Sequence, residues 1–160
     1  MSKLSTAALA ALALGSLALG GPARAGAQIS NDLRECAGNG PAVRVTVTGI
    51  RAGGGNIRVQ TYHGTAAEWL AKGRWLTRIQ QPARAGTMVF CLPVAEPGTY
   101  GVAVRHDVNG NGKTDIRTDG GGMSNNPSIN IFNLGKPSYR QTAFPVGREV
   151  KSISIQMKYW

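Results

Sequence analysis

Beyond residue 42 the chain alternates between apolar and polar side chains with a period of two. Val43, Val45 and Val47 begin this pattern, and it recurs in four later segments, at residues 57–62, 87–92, 100–105 and 152–159. Because a period of two places successive side chains on opposite faces of a strand, each segment is predicted to be a half-buried β-strand. Residues 140–146 are predicted to supply a further strand.

Turn and cap signals lie between these strands. The glycine-rich turn at 53–56 separates the first two strands, which are therefore predicted to form a hairpin. Thr65 and Glu68 match a capping box, in which a hydroxyl and a carboxylate satisfy free backbone N–H groups. A short helix is therefore predicted to begin at Thr65 and to end at Gly73.

Several short strands, Gly/Pro turns and one short helical insert predict an all-β fold, an antiparallel β-sandwich. The strand pattern alone fits a small closed barrel as well. The apolar strand positions are predicted to face one core: Val43, Val45, Val47, Ile57, Val59, Phe90, Tyr100, Val102, Val104, Ile153, Ile155 and Met157.

The first 25 residues are predicted to be a secretory signal peptide. Lys3 is followed by an apolar run that Gly20 and Gly21 end, and Ala23-Arg24-Ala25 is a small-residue cleavage site. Ala25-Gly26-Ala27 offers a second site, and an uncleaved membrane anchor is the alternative. The chain then divides into an N-terminal arm at 26–42 and a sandwich domain at 43–160, secreted or periplasmic, with no transmembrane segment after cleavage.

Two cysteines, Cys36 and Cys91, remain after signal removal. An exported protein meets an oxidising compartment, so the even count predicts a disulfide between the arm and a strand.

The formal charge is +10, from 18 Lys+Arg against 8 Asp+Glu. Such a balance attracts anionic polymers, and for an exported protein these are envelope polymers or acidic glycans rather than nucleic acid. The alternative interpretation assigns these charges no partner: the basic residues lie on solvated strand faces, since they alternate with core positions. They are Arg44, Arg58, Arg105 and Lys158.

The most distinctive motif follows the strand at 100–105. Asp107, Asn109, Asn111 and Gly112 match the opening of a calcium loop, in which alternate Asp and Asn oxygens converge on one ion. The backbone carbonyl of Lys113 and the carboxylate of Asp115 would complete the metal ligands.

The match to a calcium loop is incomplete. Position twelve is Thr118, where an EF-hand has a bidentate Glu, and the next acid is Asp119. Any calcium affinity is therefore expected in the weak extracellular range, about 10⁻⁴–10⁻³ M. Asn-Gly pairs also form turns without metal, so a plain hairpin loop remains the alternative.

The motif extends into a longer pattern: a PG-x-Y turn at 97–100, the run HD-x-N-x-N at 106–111, and Gly122-Met123-Ser124-Asn125. In this pattern the chain, from about Val43 to Tyr159, resembles the bacterial family of unknown function DUF2141. The resemblance implies a secreted or periplasmic β-sandwich of transthyretin-like or carboxypeptidase-regulatory type, and it implies no reaction. Met123 replaces the family's usual phenylalanine.

His106 and Asp107 are adjacent in a strand and point to opposite faces, so they are badly placed to act as a catalytic pair. His106, Gly112, Ser124 and Asn125 are instead predicted to support the loop. The predicted function is a non-enzymatic, exported cell-envelope binding or structural module with a calcium-stabilised loop. The alternatives are a carbohydrate-binding accessory domain, with an aromatic patch at Tyr62, Trp69 and Trp75, and a small hydrolase that uses His106 and Asp107.

Overall fold

The computed structural model describes residues 26–38, 40–51, 53–129 and 135–159. The predicted signal peptide lies outside the described residues. Within the described part of the chain, no helix has the length and apolar character needed to cross a membrane.

Ten β-strands account for most of the regular secondary structure of the described residues, and a four-residue 3-10 helix and a four-residue α-helix accompany them. The 3-10 helix is Leu33–Cys36 and the α-helix, α1, is Tyr139–Thr142. The strands are β1 Ala27–Ile29, β2 Ala42–Ile50, β3 Asn56–His63, β4 Thr77–Pro82, β5 Gly86–Pro93, β6 Gly98–Asp107, β7 Gly120–Met123, β8 Phe144–Val146, β9 Val150–Gln156 and β10 Lys158–Tyr159.

The strands form two separate sheets, which confirms the all-β sandwich rather than a closed barrel. The larger sheet has the order β1-β4-β3-β6-β7-β10, with β8 paired to the start of β6, and the smaller sheet has the order β5-β2-β9. Most pairings are antiparallel. Two are parallel, β1 with β4 and β2 with β9, which the strand pattern did not predict.

The core lies between the two sheets and is built from the inward positions of the alternating strands. Val45 of β2 and Val59 of β3 are fully buried in one apolar cluster, although their strands belong to different sheets. Of the twelve predicted core residues, eleven lie in this cluster, and Ile153 packs against it while partly buried. The prediction of a single core is therefore confirmed.

The predicted hairpin of β2 and β3 is wrong. Strand β2 pairs with β5 and β9, whereas β3 pairs with β4 and β6. The turn between them carries the chain from one sheet to the other. Alternation shows which side chains are buried, but it does not show which strand is the neighbour.

The predicted helix from Thr65 to Gly73 is also wrong. One backbone bond of α-helical spacing forms, from the Trp69 N–H to the Thr65 carbonyl at 3.0 Å, and turns follow. Leu70 has a φ of 55°, which an α-helix cannot contain. The short helix of this fold is α1, which occupies part of the predicted strand at 140–146; β8 forms the rest.

The predicted disulfide is confirmed. Cys36, at the end of the 3-10 helix, is bonded to Cys91 of β5, with a Cα–Cα distance of 5.8 Å. It closes a loop across 55 positions, for which the loss of unfolded-state entropy stabilises by about 2–4 kcal/mol. The N-terminal arm is attached at its other end as well, since β1 forms an edge strand of the larger sheet.

Candidate functional site

The Asp/Asn loop begins where β6 ends, at Asp107. This carboxylate is almost fully buried and accepts hydrogen bonds from the backbone N–H groups of Asn111, at 3.1 Å, and Gly112, at 2.8 Å. The Arg105 guanidinium lies 3.3 Å from it. Gly112 has a φ of 78°, the left-handed conformation that the predicted sharp turn requires.

Three of the predicted metal ligands converge on one point. The side-chain amides of Asn109 and Asn111 both donate to Oδ2 of Asp115, at 3.0 and 2.7 Å. These hydrogen bonds lower the pKa of the Asp115 carboxyl. The amide oxygen of Asn111 accepts the Lys113 N–H at 2.8 Å, so the loop is closed by its own side chains.

Asp119 closes the far end of the loop, a role that the sequence did not indicate. Its carboxylate is buried and accepts the N–H groups of Val108, at 3.1 Å, and Asp115, at 2.9 Å. Among the described residues, no group of three or more His, Cys, Asp or Glu side chains is placed to hold a metal ion. A cation in this loop would therefore depend on the amide oxygens of Asn109 and Asn111.

His106 is fully buried and points to the opposite side of β6 from Asp107. Its Nδ1 lies 2.8 Å from the Tyr159 hydroxyl, and its Nε2 lies 2.9 Å from the Gly54 carbonyl. Gly54 lies in the turn before Asn56, and Asn56 pairs with Asp107. His106 therefore braces the base of the loop from inside the sandwich.

Ser124 and Asn125 make their hydrogen bonds at a different place from the Asp/Asn loop. The buried Ser124 hydroxyl donates to the Thr142 carbonyl at 2.6 Å and accepts the Val102 N–H at 3.0 Å. The Asn125 amide donates to the carbonyls of Gln141 and Ala143. These residues join β6 to α1 and to the start of β8, at the other end of the sheet.

A groove of about 430 Å³ runs over the outer face of the larger sheet, across β3, β6 and β7. The loop forms one wall through Ile116, and the turn segment after Thr65 reaches the groove through Leu70. We call it the outer-face groove and define it by six of the side chains that line it: Arg58, Tyr62, Leu70, Arg105, Ile116 and Met123.

Arginines are concentrated on this face. Arg58 of β3 lies directly opposite Arg105 of β6. On the other side of β3, Arg78 of β4 lies opposite Gln60, which is two positions along the strand from Arg58. The pKa of Arg58 is lowered by burial and then by repulsion from Arg105 and Arg78. Burial also lowers the pKa of Arg78. The sequence indicated only solvated positions here, because strand pairing, not alternation, brings Arg58 and Arg105 together.

The aromatic residues at the groove are packed rather than free. Trp69 lies over Gly101, where any Cβ would collide with the indole, and its Nε1 donates to the Pro137 carbonyl at 2.9 Å. Its ring meets Tyr62 edge to face at 5.5 Å. The Arg78 guanidinium lies 4.0 Å from the centre of the Trp75 ring. Of these aromatic residues, Tyr62 lines the groove.

Comparison with known proteins gives one match. The model of a family described as an uncharacterized protein conserved in bacteria, DUF2141, matches residues 45–154. No curated protein and no solved structure matches the chain. The matched region runs from β2 into β9, so it includes the Asp/Asn loop and most of both sheets. The chain belongs to the DUF2141 family.

Proposed function

We propose that the protein is an exported, non-enzymatic binding module of the cell envelope whose ligand is anionic. The observation that carries the proposal is the cluster of Arg58, Arg78 and Arg105 on the outer face of the larger sheet. Like charges directly opposite each other across two strands destabilise a sheet. A bound anion would offset that cost, since it would lie between guanidinium groups that otherwise repel one another.

Export is supported by two features at the start of the chain. Residues 1–25 have the composition of a signal peptide. The Cys36–Cys91 disulfide is a bond of the kind that persists in oxidising compartments such as the periplasm. Mass measurement of the periplasmic protein, with and without reduction, tests both features, because it gives the cleavage position and the disulfide together.

Binding to anionic polymers tests the central proposal. The protein should bind lipopolysaccharide and polygalacturonate more tightly than neutral dextran, and added salt should weaken the binding. Arg58→Gln should weaken it, whereas Arg44→Gln should not, because the exposed Arg44 lies on the smaller sheet. Equal binding by the two variants would show that overall charge, not the groove, attracts the polymer.

The two alternatives from the sequence have less support. A carbohydrate-binding site stacks sugars on exposed aromatic faces, but here Trp69 covers Gly101 and Trp75 is stacked with Arg78. A hydrolase that uses His106 needs an accessible imidazole, and this ring is fully buried with both nitrogens in hydrogen-bond contact. The geometry therefore favours binding over catalysis at this end of the sheet.

We also propose that calcium stabilises the Asp/Asn loop. The supporting observation is that the side chains of Asn109 and Asn111 meet at Asp115. Rotation of each amide by half a turn would direct its oxygen to the same point, where a hard cation prefers oxygen ligands, at the cost of the hydrogen bonds that these oxygens accept from the N–H groups of Asn111 and Lys113. The Arg105 guanidinium against Asp107 opposes a cation there, so the affinity is expected to be weak.

Thermal melting tests the calcium proposal. An ion that binds only the folded state, at a hundred times its dissociation constant, adds about 2.7 kcal/mol of stability. The melting temperature should rise with millimolar calcium, fall again with chelator, and rise less with magnesium, which keeps its waters. Asp115→Asn should reduce the shift. If calcium does not change the melting temperature of the wild type, the calcium proposal is wrong and the loop is a hairpin loop held by its own hydrogen bonds.

A further inference from the structure

The outer-face groove has two chemically different parts. Arg58 and Arg105 supply positive charge from neighbouring strands, and Tyr62, Leu70 and Met123 supply apolar surface beside them. Ile116 stands at the rim with 65% of its surface exposed, although a large aliphatic side chain is normally covered. The groove is thus amphipathic.

We propose that the outer-face groove binds a single-chain anionic amphiphile, with its headgroup at Arg58 and Arg105 and its hydrocarbon chain along Tyr62, Leu70, Met123 and Ile116. This inference rests on the proposed anion-binding function and names its ligand class. The volume of about 430 Å³ lies at the lower end of small-molecule sites, which suits one acyl chain rather than a multi-chain lipid.

Arg58 is the charge of the groove that is open to a headgroup, because the guanidinium of Arg105 already contacts Asp107 and the loop. Among the described residues, no carboxylate lies within ion-pair distance of Arg58, whose Nε donates to the neutral Gln80 at 2.8 Å. The nearby carboxylates of Asp107 and Asp119 accept backbone N–H groups of the loop. Within the described chain, the buried Nε of Arg105 also has no hydrogen-bond partner.

The apolar part suits a hydrocarbon chain better than a sugar. Sugars stack on free aromatic faces, and the rings of Trp69 and Trp75 already face Gly101 and Arg78. A saturated chain needs only contact with apolar atoms, which Leu70, Met123 and Ile116 offer. Its burial would also cover the exposed part of Ile116.

Calorimetric titration of the purified chain with straight-chain carboxylates, below their micelle concentrations, tests the proposal. From hexanoate to dodecanoate the affinity should rise about fourfold for each added methylene, the gain expected for burying one such group. Dodecanol should bind at least about tenfold more weakly than dodecanoate, because its neutral hydroxyl forms no ion pair with arginine.

Three variants locate the site. Arg58→Gln should weaken dodecanoate binding at least about tenfold, and the matched Arg44→Gln on the smaller sheet should leave it unchanged. Ile116→Ser should flatten the dependence on chain length without removing the preference for an anion. Its side chain is exposed, so this variant should fold normally.

The outcomes separate this inference from the proposed function. In one outcome, lipopolysaccharide or polygalacturonate binds in a way that depends on Arg58, but the affinity for carboxylates does not depend on their chain length. This result would overturn the proposal of an amphiphilic ligand and would keep the proposal of an anion site. Equal affinity for dodecanol and dodecanoate would overturn the role of the arginines in both. Acidic oligosaccharides that displace dodecanoate at equal concentration would also contradict a site built for a hydrocarbon chain.

Discussion

The two sheets share one core but present very different outer faces. On the smaller sheet, the outward positions of β2 and β9 are mainly short or neutral polar side chains: Arg44, Thr46, Thr48, Ser152, Ser154 and Gln156. The larger sheet carries arginines and aromatic residues there, and two connecting segments rise from it to make a groove. A ligand site is therefore to be sought on the larger sheet.

The edges of the smaller sheet are closed by asparagine side chains. Asn31 donates to the Val89 carbonyl at 2.9 Å and accepts the Cys91 N–H at 3.1 Å, on the free edge of β5. Asn126 does the same for Ser154 and Gln156 on β9, at 3.0 and 2.8 Å. Each amide thus takes the place of a neighbouring strand, which is how an exposed edge is kept from pairing with another chain.

Under the proposed function, the larger sheet makes the ligand contact and the smaller sheet does not. The disulfide, the two asparagines and the hydroxyl-rich face of the smaller sheet all reduce its opportunities for association. On the larger sheet, cross-strand repulsion between arginines is retained although it costs stability. We infer that the sandwich uses the smaller sheet as its support.

The largest expected effect on stability comes from a charge placed on the inward face of β9, compared with the same charge on its outward face. Ile155→Asp should prevent folding, because an unpaired carboxylate would enter the fully buried core at a cost of several kcal/mol. Ser154→Asp, one position away on the outer face, should change stability by about 0.5 kcal/mol or less. Circular dichroism melting measures both. Equal melting temperatures would contradict the assignment of faces on β9.

Alternation in the sequence predicted β2, β3, β5, β6 and β9 and the core, because burial of one strand face leaves a period of two, but it did not reveal β1, β4 or β7. The disulfide followed from the compartment and the even count of cysteines. Strand partners could not be predicted, since Val47 and Ile57 show the same pattern whether or not their strands are neighbours. Thr65 and Glu68 indicated a helix by their capping box, but Trp69 packs over Gly101 and the segment forms turns instead.

The candidate site was predictable only in part. The Asp/Asn loop was visible as a motif, but the hydrogen bonds of Asp119 to the loop were not. Asp119 lies outside the motif and accepts the N–H of Val108, which is eleven residues earlier in the chain. The arginine cluster depends on the register of β3, β4 and β6. Pairs such as Arg58 and Arg105 become apparent only when strand neighbours are known.

Removal of the disulfide tests how far the smaller sheet depends on its covering arm. Replacement of Cys36 and Cys91 by Ser and Ala should lower the free energy of unfolding by about 2–4 kcal/mol, because the unfolded chain regains its freedom. Urea unfolding measures the loss. Binding at the outer-face groove should persist in the folded variant, since Cys91 lies in the other sheet. If the folded variant no longer binds, the claim that the groove works independently of the smaller sheet is contradicted.

The asparagine caps are expected to have a smaller effect on stability and a visible effect on association. Asn31→Ala and Asn126→Ala should each cost about 1 kcal/mol through lost hydrogen bonds, and each frees an edge for pairing. Light scattering after size exclusion should then show dimers or larger species at high concentration. Gln28→Ala, on the exposed edge strand of the larger sheet, is the matched control. Monomers in both cap variants would mean that the edges need no such protection.

The smallest expected effect concerns Asp115, which joins the loop to the groove wall. Hydrogen bonds from the Asn109 and Asn111 amides lower its pKa in the folded state. The ionised carboxylate therefore stabilises the fold above the ordinary value of about 3.9, and that contribution disappears as the pH falls through the lowered value. The change in stability should be slight because the side chain remains in contact with solvent.

Carboxyl NMR titration measures the Asp115 pKa directly. Asn111→Ala should move the pKa back toward its ordinary value, and Thr48→Ala on the smaller sheet should not change it. Since the amide of Asn111 makes the shorter contact, at 2.7 Å, its removal should have more effect than that of Asn109. An unshifted pKa in the wild type would mean that the amides do not donate to Asp115.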